Sequence, residues 1–447
     1  MDESNANETP VSFVVFGATG DLFARKIVPS LYLLYTTGKL PNEFAVLGFG
    51  RQALTTELFQ DHVFVHLKNA APDVTKRGAE EFLNLFTYQQ GEFADEASFA
   101  RLREALEARD HALGFPALKS FYLAVPPELV RILVPHLAMV APQGEARQIL
   151  IEKPYGHDET SARELTAFLH DFFDEREIFR IDHYLAKPAL DTLLYSRTKH
   201  ERYNQLLREE PIQAITITLL ETLGVEKRGA FYDGIGALKD VGQNHLLEML
   251  ALALMPIPRL EPASVCQARA QFLQSLPRLS TKEVEEQTIR AQYEGYEHIA
   301  GVREGSTTET YFRVQFALKS APYRDVAVVL ESGKRMRALK KDIVISFDCN
   351  HTDSLHIELE PVPRIYLKKG DLITTLEEFK DPMPSIQYAN EYATLFASAW
   401  RGDTTHFPTA REVERLWHFI DPIVLAWEEG APPLLTYPQG AVLPWSS

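Results

Sequence analysis

The chain has 447 residues, enough for two or three domains with substantial buried cores. Its apolar content of 45% and its charged content of 24% are those of an ordinary soluble globular protein. The formal net charge of −16 argues against a nucleic acid or an anionic membrane as partner, since both call for a basic surface. A local cluster of Lys, Arg or His would therefore have to hold any anionic ligand.

The two cysteines and the N-terminal sequence indicate the cellular compartment of the protein. Cys266 and Cys349 lie in unrelated contexts that match neither a metal-site spacing nor a disulfide framework, so a reducing cytoplasm is the simplest interpretation. The opening MDESNANETP lacks the basic and apolar regions of a secretory signal, and no uncharged apolar run reaches about 18 residues. We expect a cytoplasmic protein without a membrane span.

The first part of the chain alternates short apolar runs with helical patterns. The runs are VSFVVFG (11–17), FAVLGFG (44–50), SFYLAV (120–125) and QILIEK (148–153); helical patterns cover 24–37, 92–112, 126–140 and 159–177. Buried strands separated by helices predict βαβ units and a parallel sheet that is covered on both faces. We therefore expect a doubly wound α/β Rossmann domain over residues 1–178.

The second part has closely spaced strands. They are IQAITITLLE (212–221), YFRVQFAL (311–318), DVAVVLE (325–331), DIVISFD (342–348), SLHIELE (354–360) and PRIYLKK (363–369), with helical patterns at 233–255, 389–400 and 409–428. Such spacing with alternating apolar residues is typical of an antiparallel sheet. We expect an α+β domain with a large antiparallel sheet over residues 179–447.

A glycine turn follows the first predicted strand. FVVFGATGDLFARK places Gly17 and Gly20 between a strand and a helix, where backbone N–H groups can approach a pyrophosphate. The spacing is G-x-x-G, with Thr19 where the usual motif has its middle glycine. The same spacing also occurs in tight strand–helix connections that bind nothing.

The end of the second predicted strand indicates which dinucleotide is bound. A domain that prefers NAD carries an acidic residue there for the ribose hydroxyls, whereas an arginine suits a 2′-phosphate. Here the strand ends GFGRQAL, with Arg51 and Gln52 and no acid. We expect NADP, with NAD also possible; the alternative is a solvated arginine at a strand end.

Ionisable groups are concentrated in two further stretches. IEKPYGHD puts Lys153 at the end of a strand, where ligands bind in open α/β sheets, although a single such lysine is often surface decoration. RIDHYLAK (180–187) carries an arginine, an aspartate, a histidine, a tyrosine and a lysine in eight positions. This density raises the question of whether the groups hold the fold or a ligand.

With GATGDL, EKPYG, RIDHYLAK, FYDGIGALKDVGQNH and ESGKR in this order, the chain resembles the glucose-6-phosphate dehydrogenase family from about residue 12 to the last helix. The resemblance implies a Rossmann domain followed by a large β+α domain. It also implies oxidation of glucose 6-phosphate at C1 to 6-phosphoglucono-1,5-lactone, with hydride passing to NADP or, in some members, to NAD. A homodimer or homotetramer, and no metal, would accompany this activity.

The resemblance also implies roles for single residues. It makes His245 the general base and Asp182 the carboxylate that orients it. The residues implied in substrate binding are Lys153, His183, Tyr184, Lys187, Glu221, Asp233 and Lys334. Those implied in cofactor binding are Gly17, Thr19, Gly20, Asp21, Leu22, Arg51, Gln52 and Lys153.

Two departures from the family pattern leave alternatives open. The chain has Ala186 and Pro188 around Lys187 where the family usually reads G-K-E. The family commonly has a second basic residue five positions after Lys334, but that position is Leu339 here, with Lys340 next to it. A dehydrogenase of another anionic sugar, or a catalytically silent regulatory paralogue, are therefore the competing interpretations. Retention of both Asp182 and His245 disfavours the silent paralogue.

Taken one at a time, the catalytic and binding candidates also have structural interpretations. His245 lies in a helical pattern whose later part is plainly core, and Glu221 at a strand end is ordinarily a solvated carboxylate. Six motifs matching in order make the functional interpretation the stronger one.

Overall fold

The structure is a computed structural model that describes residues 9–199, 201–256, 261–350, 352–360, 362–378 and 389–442. The chain forms two compact units. The first unit comprises residues 1–156, 163–186 and 382–410, and the second comprises 157–162, 187–381 and 411–447. These units differ from the expected division at residue 178, because the chain changes unit near residue 186 and later returns to the first unit.

Fifteen strands are present in the described ranges. They are β1 (Val11–Phe16), β2 (Phe44–Gly50), β3 (Phe86–Gln90), β4 (Leu118–Leu123), β5 (Arg147–Ile151), β6 (Ile178–Arg180), β7 (Ala214–Leu220), β8 (Thr288–Tyr293), β9 (Tyr311–Ala317), β10 (Ala327–Gly333), β11 (Lys340–Ser346), β12 (Asp353–Glu360), β13 (Arg364–Lys369), β14 (Leu372–Glu378) and β15 (Leu434–Tyr437).

The same ranges contain fourteen α-helices. They are α1 (Val28–Thr36), α2 (Thr56–Ala70), α3 (Glu80–Leu83), α4 (Glu96–Leu113), α5 (Pro127–Val140), α6 (Glu159–His170), α7 (Pro188–Lys199), α8 (Glu201–Glu209), α9 (Gly229–Tyr232), α10 (Leu247–Leu254), α11 (Pro262–Gln274), α12 (Thr281–Gln287), α13 (Ala389–Trp400) and α14 (Ala410–Glu428). None of them is long and apolar enough to cross a bilayer.

The first unit contains a six-stranded sheet in the order β3-β2-β1-β4-β5-β6, with every pairing parallel. All six residues of β1 are buried, as its nearly continuous apolar sequence predicts for a central strand. The strand order reverses direction between β1 and β4, and ligands of open α/β sheets bind beyond the carboxyl ends of strands at such a point. The expected Rossmann fold is confirmed.

Helix α13 belongs to the core of this first unit, although it lies more than 200 residues beyond β6. Its Phe396 and Trp400 rings lie 5.3 and 5.4 Å from the ring of Phe13 on β1. Both rings are nearly or fully buried, so they contribute apolar area as well as favourable edge contacts. The order of elements in the sequence predicts this helix in the C-terminal domain, whereas it lies in the first unit.

The second unit contains a nine-stranded sheet in the order β14-β13-β12-β11-β7-β10-β9-β8-β15. Most neighbours are antiparallel, whereas β7 with β10 and β8 with β15 pair in parallel. The α+β fold class is confirmed, with these two parallel pairs as a refinement. Because β7 and β10 run antiparallel to β11, the end of β7, the end of β10 and the start of β11 meet at one edge of the sheet.

Helix expectations were wrong in two places. The long pattern at 233–255 is interrupted: α9 ends at Tyr232, a π-helical segment covers Leu238–Leu246, and α10 follows directly. The pattern at 159–177 ends as α6 at His170, and a single 3₁₀ turn covers Glu175–Glu177. In each case the apolar spacing alone does not show where the backbone hydrogen bonds change partner.

Candidate active site

The glycine turn after β1 fits a dinucleotide phosphate. Gly17 has a φ of 81°, and a Cβ there would lie 2.3 Å from the carbonyl oxygen of Ala124, so only glycine fits this approach to the end of β4. The Gly20 N–H donates to the Gly17 carbonyl at 2.9 Å, which closes the turn. A helix then starts at Asp21 and Leu22, so its N-terminus faces the turn.

Arg51 and Gln52 follow β2, and both are exposed. Their backbone carbonyls accept hydrogen bonds from the side chains of Gln90 (3.2 Å) and Tyr88 (2.9 Å). The backbone of this segment is thus anchored while the Arg51 guanidinium remains in solvent. This arrangement fits a guanidinium that contacts a 2′-phosphate.

Lys153 and Asp182 come together in the first unit, because they follow the adjacent parallel strands β5 and β6. The Lys153 Nζ lies 3.2 Å from Asp182 Oδ2, and the backbone N–H of Tyr184 donates to Asp182 Oδ1 at 2.9 Å. The Tyr155 hydroxyl donates to the Ile181 carbonyl at 2.6 Å, so the loops after the two strands are tied together. Asp182 is 0% exposed, and its charge is compensated by these donors.

A partly buried carboxylate, which the sequence did not predict as part of the site, lies beside Lys153. Glu152 accepts hydrogen bonds from the hydroxyls of Tyr122 and, at 3.0 Å, of Tyr392 on α13. Burial raises the pKa of Glu152, although both phenols act in the opposite direction.

The ring of His183 stacks 6.3 Å from that of Tyr392 and lies 5.0 Å from that of Tyr184.

In the second unit, five charged side chains form what we call the lysine–glutamate cluster: Lys187, Glu221, Lys334, Lys341 and Glu360. The Nζ of Lys187 and the Nζ of Lys341 lie 2.8 and 3.0 Å from the two carboxylate oxygens of Glu360. Glu221 accepts from Lys334 at 2.8 Å and lies 3.6 Å from Lys341. Lys187, Glu221 and Lys334 are predicted site residues, whereas Lys341 and Glu360 were not predicted.

Strand register explains how this cluster is assembled. Glu221 follows β7, Lys334 follows β10, Lys341 is the second residue of β11 and Glu360 ends β12, and these four strands are neighbours in the sheet. Burial alone would raise the pKa of both glutamates, but the lysines outweigh it and hold each pKa below the usual value. Both side chains are therefore carboxylates at neutral pH.

The structure shows which lysine near Leu339 joins the cluster. Leu339 is exposed, and Lys340 Nζ lies 3.9 Å from Asp342, which is buried in the same strand. The lysine that meets Glu360 is the next one, Lys341. Adjacent strand residues face opposite sides of a sheet, so only one of two consecutive lysines can join the cluster.

Asp233, expected to receive sugar hydroxyls, already has several protein donors. Its carboxylate accepts from Arg303 Nε at 2.7 Å, from Thr308 Oγ1 at 3.1 Å and from the Ser306 hydroxyl. These partners outweigh burial, which alone would raise the pKa, and lower it to about 2. The side chain of Asp233 is 3% exposed, and its hydrogen bonds hold the segment 303–308 in place. Its role toward a sugar stays a prediction.

His245 is buried in the π-helical segment Leu238–Leu246, where its backbone N–H donates to the Asn244 side-chain oxygen at 2.6 Å. π-Helical turns are rare and frequently mark functional sites. The described ranges contain two such segments: this one, and Phe23–Ile27 directly after the glycine turn. His245 belongs to the second unit and Asp182 to the first, so their pairing stays a prediction.

Family comparison covers nearly the whole chain. Residues 14–191 match the family described as "Glucose-6-phosphate dehydrogenase, NAD binding domain", and residues 194–447 match "Glucose-6-phosphate dehydrogenase, C-terminal domain". The chain is 32% identical to the glucose-6-phosphate 1-dehydrogenase of Treponema pallidum (strain Nichols). That alignment covers 97% of this chain and 92% of the relative.

Two solved structures are similar over almost their full length. A glucose-6-phosphate dehydrogenase in complex with its substrate glucose-6-phosphate aligns with a TM-score of 0.87 at 27% identity, covering 98% of this chain and 96% of the other. The glucose-6-phosphate 1-dehydrogenase from Mycobacterium avium aligns with a TM-score of 0.81 at 27% identity, covering 97% and 95%.

Proposed function

We propose that this chain, which belongs to the glucose-6-phosphate dehydrogenase family, oxidises glucose 6-phosphate at C1 to 6-phosphoglucono-1,5-lactone with NADP as hydride acceptor. One observation carries the proposal: a relative whose structure aligns over 98% of this chain has glucose 6-phosphate as its substrate. The buried Lys187 in this chain supports it, because a sugar phosphate needs a local cation on a protein of net charge −16.

The proposed chemistry assigns the proton to His245. As C1 gives up its hydride, one ring nitrogen of His245 takes the proton of the C1 hydroxyl, and the C1–O bond becomes the lactone carbonyl. Histidine suits this role because its ordinary pKa near 6.5 leaves it substantially neutral at working pH. Asp182 would fix its tautomer and stabilise the imidazolium, and Lys153 together with the Tyr184 N–H holds Asp182 in place.

Substrate binding is assigned to His183, Tyr184, Lys187, Glu221 and Lys334. Lys187 supplies charge for the phosphate, and His183 and Tyr184 supply further donors. Glu221 and Lys334 are held together at 2.8 Å and are proposed to contact sugar hydroxyls.

The cofactor is assigned to the turn at Gly17, Thr19 and Gly20 and to Arg51. When bound, NADP supplies the nicotinamide ring that accepts hydride. The close approach of Gly17 to the end of β4 and the exposed Arg51 guanidinium support this assignment. A homodimer or homotetramer is part of the same proposal, and light scattering after gel filtration tests it.

A substrate panel tests the function. Formation of reduced nicotinamide is followed by absorbance with glucose 6-phosphate, glucose, galactose 6-phosphate and a sulfonated glucose offered in turn, each with NADP and with NAD. We expect the highest kcat/KM with glucose 6-phosphate and NADP. Equal turnover of unphosphorylated glucose would refute the phosphate site, and a better rate with the sulfonated sugar would favour the dehydrogenase of another anionic sugar.

A further inference from the structure

Two lysines from separate elements converge on one carboxylate in the lysine–glutamate cluster. Lys187 directly precedes α7, and Lys341 lies near the start of β11. Their ammonium groups contact different oxygens of Glu360, at 2.8 and 3.0 Å. Two oxygens of a phosphate would offer the same pair of acceptors to the same pair of donors.

The exposure of these three side chains is unequal. The side chains of Lys187 and Lys341 are 7% and 5% exposed, whereas that of Glu360 is 28% exposed. The ammonium groups are therefore buried, and the carboxylate lies on the side nearer solvent. Buried ammonium groups need an anion, and the anion nearest solvent is the one that an incoming anion can replace.

The fold directs Lys341, and not its neighbour, to this place. Lys341 pairs across the ladder with Glu360, and the register between β11 and β12 shifts between Lys341 and Asp342. Lys340 lies on the other face of the strand, next to Asp342. The two consecutive lysines thus form a matched pair for experiment, with equal charge and different surroundings.

We propose that Lys341 is a second cation for the anionic group of the substrate and that Glu360 is an internal anion that competes with the substrate for Lys187 and Lys341. The inference deepens the proposed function and rests on it for the identity of the sugar phosphate. In the absence of substrate, Glu360 holds the two ammonium groups together. A dianionic phosphate displaces Glu360 from them, and a neutral sugar gains nothing from the exchange.

The ionisation of Glu360 supports the competition. Its pKa lies below the usual value because Lys187 and Lys341 outweigh the effect of burial, which alone would raise it. A glutamate that is charged at neutral pH weakens the binding of another anion at the same lysines, by repulsion and by occupying their donors. Removal of this charge should therefore strengthen phosphate binding.

Titration calorimetry of the full chain without cofactor measures the effect independently of turnover. The ligands are glucose 6-phosphate, inorganic phosphate and glucose; the variants are Lys341→Met, Glu360→Gln and the control Lys340→Met. We expect Lys341→Met to raise the Kd for glucose 6-phosphate by about tenfold or more, since a buried charged contact is lost. Lys340→Met should change it by less than about twofold, and Glu360→Gln should lower it about threefold or more.

The contrary outcomes separate the parts of the inference. Equal Kd values for Lys341→Met and Lys340→Met overturn the role of Lys341, and a raised Kd for Glu360→Gln overturns the competition. If circular dichroism shows that Lys341→Met does not fold, the double variant Lys341→Met/Glu360→Gln is compared with Glu360→Gln. A tenfold difference there supports the role of Lys341, and equality overturns it.

The proposed function can fail separately. A wild-type protein that binds glucose 6-phosphate or inorganic phosphate through Lys341, yet does not oxidise glucose 6-phosphate, overturns the function and retains the anion site. A protein that oxidises glucose 6-phosphate, with a Kd insensitive to Lys341→Met, overturns the anion site alone. Binding of neither anion by the wild type also overturns the anion site.

Discussion

The Asp182 loop (residues 180–184) and the lysine–glutamate cluster both hold buried charge, but they hold it in different ways. The Asp182 loop holds a single carboxylate. Its donors are the backbone N–H of Tyr184, two residues away, and the Nζ of Lys153, which follows the adjacent strand. The cluster brings five side chains from five separate places in the chain, and its glutamates are each shared between two lysines.

This difference bears on what each region can do. A carboxylate with fixed donors keeps one position, which suits the orientation of a catalytic group. A network of long side chains with shared partners can exchange one anion for another, which suits binding. Substitutions of the proposed catalytic residues should therefore change kcat, and substitutions in the lysine–glutamate cluster should change the KM for the substrate.

The largest effect is expected for His245→Asn. Loss of a positioned general base should lower kcat by about 10²–10⁴-fold with little change in the KM for glucose 6-phosphate. The wild-type rate should rise with pH through one ionisation that is absent from the variant. Steady-state kinetics over a range of pH provide the measurement.

A matched control for this variant is His406→Asn. His406 is also buried, in the first unit, beside Ser398, and the change should leave kcat within about threefold of wild type. Normal turnover of His245→Asn would refute the assignment of His245 as the general base.

The next effect is expected for Lys187→Met, which keeps the apolar stem and removes the charge. Loss of one partner of a buried charged contact costs about 2–5 kcal/mol, so the KM for glucose 6-phosphate should rise roughly 30-fold or more. The KM for NADP should change little. Lys282→Met, at an exposed lysine of α12, serves as the control. A fall in kcat at constant KM would contradict the assignment of binding to the cluster.

A smaller effect is expected for Arg51→Ala. A hydrogen bond to a charged group contributes about 1.5–3 kcal/mol, so the KM for NADP should rise roughly 10- to 100-fold while that for NAD stays nearly the same. Kinetics with both cofactors measure the ratio, and Arg77→Ala, at another exposed arginine of the first unit, is the control. Equal loss with both cofactors would show that the arginine is structural.

The smallest effect concerns stability. Asp233→Asn should lower the free energy of unfolding at pH 7 by on the order of 1–2 kcal/mol, because the partners of Asp233 hold its pKa at about 2 against an ordinary value of 3.8. A depressed folded-state pKa stabilises the protein above the unfolded pKa. The difference between wild type and variant should therefore shrink as the pH falls from about 4 toward 2.

Urea denaturation at pH 7 and pH 3 checks this difference. Asp171→Asn, at an exposed aspartate, is the control and should show no comparable pH-dependent difference. A raised KM for glucose 6-phosphate at unchanged stability would instead favour the role of Asp233 in receiving sugar hydroxyls.

Several strands could be predicted well because their residues are apolar without interruption or alternate with period two. β2 was predicted with its observed bounds, and six of the nine strands of the second sheet were predicted within about two residues, whereas β8, β14 and β15 were not predicted. The π-helical segment around His245 could not be predicted, since its apolar spacing resembles that of an α-helix. The membership of α13 in the first unit could not be predicted either, because its Phe396 and Trp400 would suit the core of either unit.

The sequence by itself determined the two fold classes, the glycine turn and the ionisable residues available to a site, since these depend on local pattern and residue type. Only the tertiary structure decided which of Lys340 and Lys341 meets Glu360, and that Asp233 is engaged by residues 303–308. Those contacts join residues far apart in the chain, and a shift of one residue in strand register would turn the other lysine toward the cluster. Register depends on the packing of the whole sheet, and the sequence around the two lysines does not specify it.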